Sequence, residues 1–149
     1  MIRAIVAAVV GYVGMVCVVM LGIAATWFSL GNEFAFAGET VYASQGWTIA
    51  SLVGGAVAAV FGGRLATLVS RKKPVLATKI LIGLVIVLGA ITIAMNLTTD
   101  VPELPEGTKI ADLDFLEAGQ YARSPMWYHF AIVIVGVIGV SCGGKLKEA

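Results

Sequence analysis

The only histidine in the chain, His129, stands beside Trp127 and Tyr128 in an otherwise apolar run. Imidazole is the commonest metal ligand in proteins, and histidine is also a common axial ligand of haem. A second protein ligand of the usual kind is missing from the other apolar runs. We therefore predict that the chain binds no metal or cofactor by itself, and haem shared with a partner subunit is the alternative.

Acidic side chains are concentrated in one polar segment, where carboxylates would suit a hard cation. Asp112, Asp114 and Glu117 lie close together, with Asp100 and Glu103 upstream. Because their spacing matches no calcium-binding loop, we expect solvated acids rather than a cation site.

The two cysteines, Cys17 and Cys142, fall at different depths of the predicted membrane spans. That separation exceeds the distance of roughly 7 Å that a disulfide tolerates between Cα atoms. We expect both thiols to be buried as small apolar side chains. No other pattern in the chain indicates a catalytic residue.

Four uncharged runs position these residues, and each reaches the roughly 20 residues that a helix needs to cross a bilayer. The chain has 149 residues, 59% hydrophobic and 13% charged, whereas a soluble domain carries about 25% charged residues. We predict an all-α fold, a polytopic membrane protein with one transmembrane domain over residues 1–149. The predicted spans are 4–30, 45–70, 75–97 and 125–144, with an extracytoplasmic segment, 96–124, before the fourth span.

Basic residues are segregated to one side of these spans. That side holds Arg3, Arg64, Arg71, Lys72, Lys73, Lys79, Lys145 and Lys147, and the other holds Lys109 and Arg123 among most of the acids. The positive-inside rule then places both termini in the cytoplasm, and we expect a bacterial cytoplasmic membrane. We also expect Arg64, Arg71, Lys72 and Lys73 to contact lipid headgroups or an acidic loop of a partner. A net charge of +1 argues against a nucleic-acid partner.

Small residues form two adjacent rows on the second span. One row is Ala50, Gly54, Ala58, Gly62 and Ala66, and the next is Ser51, Gly55, Ala59, Gly63 and Thr67. Residues four apart share a helix face, and small residues let helices approach closely in lipid. We predict a central second span that packs on the first span, with Gly54, Gly55, Gly62 and Gly63 at helix contacts. In the fourth span, Gly136, Gly139 and Gly143 fall on one packing side.

The second and fourth spans carry similar residues at both ends. The sequence 44–47 (SQGW) corresponds to 124–127 (SPMW), and 62–65 (GGRL) corresponds to 143–146 (GGKL). This likeness suggests two parallel two-helix repeats related by an axis along the membrane normal. The alternative is that interfacial tryptophan and a basic inner end simply occur in most membrane helices.

The third span is mostly bulky and β-branched, so we expect it to face lipid or another subunit. The polar segment after it carries more large apolar side chains than a solvated loop needs, namely Ile110, Leu113, Phe115, Leu116 and Tyr121. Docking to a membrane-protein partner is one explanation, and folding down onto the bundle is the other. Asp114 and Glu117 predict a capping box that opens a short helix over 115–122, and Ser124 and Pro125 predict the start of the fourth span.

No Asp, Glu, Lys, Arg or His lies in the middle of any predicted span. Ion-coupled transporters and proton relays need such residues, so we do not expect either activity. The leading hypothesis is a non-catalytic accessory or assembly subunit of a larger membrane complex, with a membrane-protein partner or a second copy. A transporter or channel component for small neutral or lipid-like molecules is the alternative, and a polar-lined cavity between the hairpins would favour it. A redox, quinone- or haem-associated subunit is the second alternative.

Short motifs run the length of the chain. They are the start Met1-Ile2-Arg3, the Gly-Gly followed by a basic residue in the second span, the opening Pro125-x-Trp127-Tyr128 and the final Gly-Gly-basic-Leu. In these features the chain resembles a broad group of uncharacterised bacterial four-helix membrane proteins. The resemblance implies a four-helix bundle in a membrane and no particular activity. The long acidic second outer loop departs from the shorter-looped members of that group.

Overall fold

A computed structural model of the chain describes residues 1–98, 104 and 108–145. Its helices are α1 (Ile2–Ala35), α2 (Gln45–Val69), α3 (Pro74–Thr98), α4 (Phe115–Tyr121) and α5 (Met126–Lys145), and a 3₁₀ turn, Ile110–Asp112, precedes α4. In α1, α2, α3 and α5 a segment is long and apolar enough to cross a membrane. The predicted all-α membrane fold with four spans is therefore confirmed. In α1 this segment is Ile2–Gly31, and Gly31 ends it with a positive φ that favours glycine.

The helix α2 is the centre of the bundle. It packs against α1, α3 and α5, and it has the largest buried share of the four spans. Neighbouring residues on a helix point about 100° apart, so the two small-residue rows face different helices. The row through Gly62 faces α1, and the row through Gly63 faces α5.

The contact between α1 and α2 is closest at the end of the bundle that holds Arg3, the turn 70–73 and Lys145, which we call the basic end. A Cβ on Gly11 would lie 2.7 Å from the Gly62 carbonyl oxygen, and one on Gly62 would lie 2.8 Å from the Gly11 oxygen. Toward the opposite end, the loop end, a Cβ on Gly22 would meet no atom within 4 Å. The two backbones are therefore closer at Gly11 and Gly62 than at Gly22, where a groove lies between the helices. Nearer the loop end, large side chains fill the gap, with Phe34 against Gly46 and Trp27 against Trp47.

The contact between α2 and α5 is reciprocal. A Cβ on Gly63 would strike the Val140 carbonyl oxygen, and one on Gly143 would strike the Val60 carbonyl oxygen. Between them, a Cβ on Gly139 would lie 2.6 Å from the Ala59 Cβ. Matching α2 with α5 by the offset that aligns Trp47 with Trp127 exchanges the first two contacts and maps the third onto itself. A twofold axis between two parallel helices produces this pattern. This register pairs Gly143 with Gly63 rather than with Gly62.

The helices α1 and α2 form one hairpin, α3 and α5 form the other, and hydrogen bonds tie the two together at the loop end. The Ser44 hydroxyl accepts from the Trp47 amide at 3.0 Å as the N-cap of α2, and it donates to the Phe34 carbonyl. The Ala43 amide donates to the Arg123 carbonyl at 2.9 Å, and the Arg123 amide donates to the Val41 carbonyl at 2.8 Å. The loop between α1 and α2 is thereby joined to the segment that leads into α5.

The predicted capping box of α4 is confirmed. The Asp114 carboxylate accepts from the amides of Leu116 and Glu117 at 2.9 and 2.8 Å, and the Glu117 carboxylate accepts from the Asp114 amide at 3.3 Å. The helix α5 begins at Met126, one residue later than the prediction, and the Tyr128 amide donates to the Pro125 carbonyl at 2.9 Å.

The segment before α5 folds down on the loop end of the bundle. Leu113 is only 5% exposed and packs in a cluster with Trp27, Ala35, Phe36 and Ala118. The Trp27 ring lies edge-on to Phe36, Trp47 and Phe115, with ring centroids 6.3, 6.1 and 5.7 Å apart. The apolar side chains of this segment thus find a packing surface on their own chain, which is the second explanation left open by the sequence.

Candidate functional site

A cleft lies between the two hairpins and is lined by all four spans; we call it the inter-hairpin cleft. Its volume is about 230 Å³. The lining side chains come from α1 (Tyr12, Met15, Val19, Ile23), α2 (Ser51, Gly55), α3 (Val85, Leu88, Gly89, Thr92) and α5 (Tyr128, Ile132, Val133, Gly136). Because every span contributes to its lining, a molecule bound in this cleft would contact all four spans.

The position of the cleft follows from where the helices touch. In the basic half α1 and α3 are close, because a Cβ on Gly11 would lie 3.1 Å from Leu81 Cδ2. The cleft lies between the same two helices nearer the loop end, from Met15 and Val85 to Ile23 and Thr92. Its α5 wall is held against α3 where a Cβ on Gly136 would lie 3.0 Å from Val85 Cγ1.

Hydroxyl groups supply the polar part of the lining. The Tyr128 and Ser51 hydroxyl groups both belong to side chains that line the cleft, one from α5 and the other from α2. The Thr92 hydroxyl donates to the Leu88 carbonyl at 3.0 Å, so its oxygen remains as an acceptor toward the cleft. The described lining residues include no Asp, Glu, Lys, Arg or His. The cleft is therefore suited to a neutral molecule with an apolar body and a few hydrogen-bonding groups.

A second cleft, the loop-end cleft, adjoins the first. It has a volume of about 330 Å³ and lies between α4 and the spans, with Trp27, Trp47 and Phe115 among its lining residues. Ile23 lines both clefts and also a smaller groove of about 80 Å³ between α1 and α2. The two clefts and the groove therefore adjoin one another at Ile23, and together they extend from the middle of the spans to the loop end.

Most of the glycines predicted to pack helices lie at close approaches. Gly62 faces α1, Gly63 faces α5, and Gly139 and Gly143 face α2. A Cβ on Gly55 would lie 2.6 Å from Ile132 Cδ1, at the edge of the inter-hairpin cleft. Gly54 is the exception and corrects the prediction. A Cβ there would meet no atom within 4 Å, because the groove between α1 and α2 lies at that level.

The residues predicted to dock a partner are mostly used within the chain. Ile110, Phe115 and Tyr121 are half-buried against the loop-end cluster, and Leu113 is buried in it. Only Leu116 among the five is exposed, at 72%. Little of the predicted docking surface therefore remains free on this segment.

The basic residues predicted to contact headgroups divide into two groups. All four are exposed at the basic end, and only Arg71 among them also lines a separate cleft there between α3 and α5. Lys79 and Lys145 line the same cleft.

The remaining sequence candidates are not brought together. His129 is half-buried beside Tyr128, with ring centroids 5.8 Å apart, and it does not line the inter-hairpin cleft. Asp114 and Glu117 are engaged in the capping box, and the described residues contain no group of three or more His, Cys, Asp or Glu placed to hold a metal. Asp100 and Glu103 lie outside the described residues.

The cysteines correct a prediction. Cys17 and Cys142 are both free and exposed rather than buried, because each falls on the face of its helix that points away from the bundle. Neither contributes to the clefts described above.

Sequence reasoning missed the hydroxyls of the inter-hairpin cleft. Ser51 was grouped with the small-residue row, and Thr92 fell in a span expected to face lipid. The available signal was that each is a polar side chain within a predicted span, since such groups seek partners or a polar site in a membrane. Tyr12, within the first span, and Tyr128, near the start of the fourth, carried the same signal.

Known proteins offer no further guide to this site. Comparison of the chain with protein-family models, with curated proteins and with solved structures finds no match. The function is therefore inferred from the chemistry of the clefts.

Proposed function

We propose that the chain binds a neutral, lipid-like molecule in the inter-hairpin cleft, as a carrier or as a component of a transporter for such molecules. The observation that supports this function is the cleft itself, which all four spans line and whose polar groups are hydroxyls. It is the feature that favours the transport hypothesis over the accessory-subunit hypothesis.

The polarity of the lining selects the class of molecule. An ion or a charged substrate would lose its hydration in the cleft without meeting an opposite charge, at a cost of several kcal/mol. A neutral amphiphile instead places its chain against Val19, Ile23 and Ile132, and its hydroxyl or carbonyl groups can bond to Ser51 and Tyr128. The neighbouring loop-end cleft adds further apolar wall for a longer chain.

A photoreactive neutral lipid tests the proposal. In nanodiscs, a diacylglycerol with a diazirine near its polar group should label wild-type protein at α1 and α5 residues that line the cleft. Replacing Thr92 with phenylalanine places a ring at the mouth of the cleft, so labelling should fall about tenfold, equivalent to about 1.4 kcal/mol of lost affinity. Peptide mass spectrometry locates and quantifies the adducts.

The matched control is Ile91→Phe. Ile91 precedes Thr92 on α3, is 49% exposed and does not line the cleft. Its labelling should stay at the wild-type level. Equal labelling of the two variants, or adducts spread over lipid-facing residues, would show that the cleft is not the binding site.

An accessory subunit of a larger membrane complex is the second candidate, and the loop half of α3 favours it. Val87, Ile91, Met95 and Leu97 are all exposed there, and the window of α3 that qualifies as a span is the least buried of the four. On this proposal a partner protein or a second copy would cover that face. Native purification of the wild-type chain with a fixed partner, together with unchanged labelling of Thr92→Phe, would favour this function over the first.

We further propose that the protein lies in a bacterial cytoplasmic membrane with its basic end in the cytoplasm. The positive-inside rule supports this orientation, because Arg64, the turn 71–73 and Lys145 are all at one end. In a cysteine-free background, an impermeant maleimide added to intact cells should label a cysteine at Glu39 and not one at Lys72. The reverse pattern would invert the orientation.

A further inference from the structure

A cleft at the basic end joins three cationic side chains from three separate parts of the chain; we call it the basic cleft. It has a volume of about 430 Å³ and lies between α3 and α5. Arg71 comes from the turn after α2, Lys79 from α3 and Lys145 from the last turn of α5. We propose that this cleft binds the phosphate headgroup of an anionic membrane phospholipid.

The two lysines of the cleft each follow a residue at the contact between α3 and α5. A Cβ on Gly144 would lie 2.8 Å from both Cγ2 and Oγ1 of Thr78, so the helices touch at this pair. Lys79 follows Thr78 on α3 and Lys145 follows Gly144 on α5. Both lysines line the cleft beside this contact.

Electrostatics make the basic cleft a site for an anion. Arg71, Lys79 and Lys145 all line it, so a bound anion would experience the combined field of three positive charges. The described lining residues include no acid that would neutralise them. A bound phosphate group removes their mutual repulsion and accepts charge-assisted hydrogen bonds from the guanidinium and the ammonium groups.

The two hydroxyl groups that line the basic cleft already donate to carbonyl groups of their own helices. The Ser141 hydroxyl donates to the Val137 carbonyl at 2.7 Å, and the Thr78 hydroxyl donates to the Pro74 carbonyl at 3.1 Å. Because both donors are used within their own helices, selectivity should depend on the ligand's negative charge rather than on the shape of its headgroup.

The apolar side of the basic cleft indicates a lipid rather than a free anion. Val75 and Ile82 line it together with the cations, and Val75 is 54% exposed. Both belong to α3, a predicted span, and Ile82 lies deeper in it than Lys79. A phosphate held by the cations would leave its acyl chains against these side chains, as in basic pockets between membrane helices that hold anionic headgroups.

Native mass spectrometry of the full chain, released from detergent with added lipid, tests this proposal. Wild-type protein should retain one phosphatidylglycerol with a preference of about tenfold or more over phosphatidylcholine of the same acyl chains. The combined variant Arg71→Gln, Lys79→Gln, Lys145→Gln should lose that preference. The single variant Lys79→Gln gives the same test with the least disturbance of folding and should lose part of it.

A second combined variant separates this site from general surface charge. Arg64→Gln, Lys72→Gln, Lys73→Gln removes the same number of charges from the basic end, but none of these residues lines the cleft. It should keep the wild-type preference. An equal loss in both combined variants, equal retention of the two lipids by wild-type protein, or full displacement of the lipid by millimolar inorganic phosphate would overturn the proposal.

Discussion

Replacing Gly63 with alanine is expected to lower the free energy of unfolding by about 3 kcal/mol, at the upper end of the usual cost of overpacking. The new methyl group would strike the Val140 carbonyl oxygen and lie 3.0 Å from the Val140 Cα. These are backbone atoms of α5, so a side-chain rotation cannot relieve the clash. Unfolding in mixed micelles, followed by circular dichroism, measures the loss.

The control is the same substitution at Gly54, in the same helix. There the methyl group would meet no atom within 4 Å. Alanine is the better helix former by about 1 kcal/mol in water, so Gly54→Ala should leave stability unchanged or raise it. If both variants lose stability equally, the α2 and α5 helices do not cross as the structure places them.

Replacing Trp27 with alanine is expected to cost about 3–5 kcal/mol, the usual range for a buried large aromatic side chain. Trp27 is only 9% exposed and its ring contacts the rings of Phe36, Trp47 and Phe115. Its loss should also release α4 from the spans, because Phe115 belongs to that helix. Faster amide hydrogen exchange over Phe115–Tyr121 would report the release.

Trp127 provides the comparison for that experiment. It is 55% exposed and is within ring contact of Tyr128, the next residue. Trp127→Ala should therefore cost much less stability and leave exchange over Phe115–Tyr121 at the wild-type rate. Equal effects of the two substitutions would mean that the loop-end cluster does not hold α4 in place.

The spans, the central place of α2 and the α4 cap were predictable because each rests on local or periodic information. A bilayer demands about 20 apolar residues per helix, so four uncharged runs determine four helices. Two rows of small residues give α2 two faces on which another helix can pack closely, so α2 was expected to have a neighbour on each face. The capping box of α4 joins Asp114 and Glu117, which are only three residues apart, so it depends on local sequence alone.

The roles of individual glycines were less predictable. Gly54 and Gly62 belong to one row, yet only Gly62 contacts α1. The row defines a helix face, whereas the crossing angle of α1 and α2 decides how far along that face the contact extends. The sequence shows which residues share a helix face, but it does not give the crossing angle. For the same reason the expectation that both cysteines are buried was wrong.

The candidate sites depend on the packing of several helices at once. The sequence by itself determined that this is a four-span membrane protein whose spans lack ionisable residues at their centres, because hydrophobic length and charge are properties of each segment alone. Only the tertiary structure decided that Ser51, Thr92 and Tyr128 line one cleft and that Arg71, Lys79 and Lys145 line another. Those groups come from separate helices, and their proximity follows from where glycines let the backbones meet and where the helices then part.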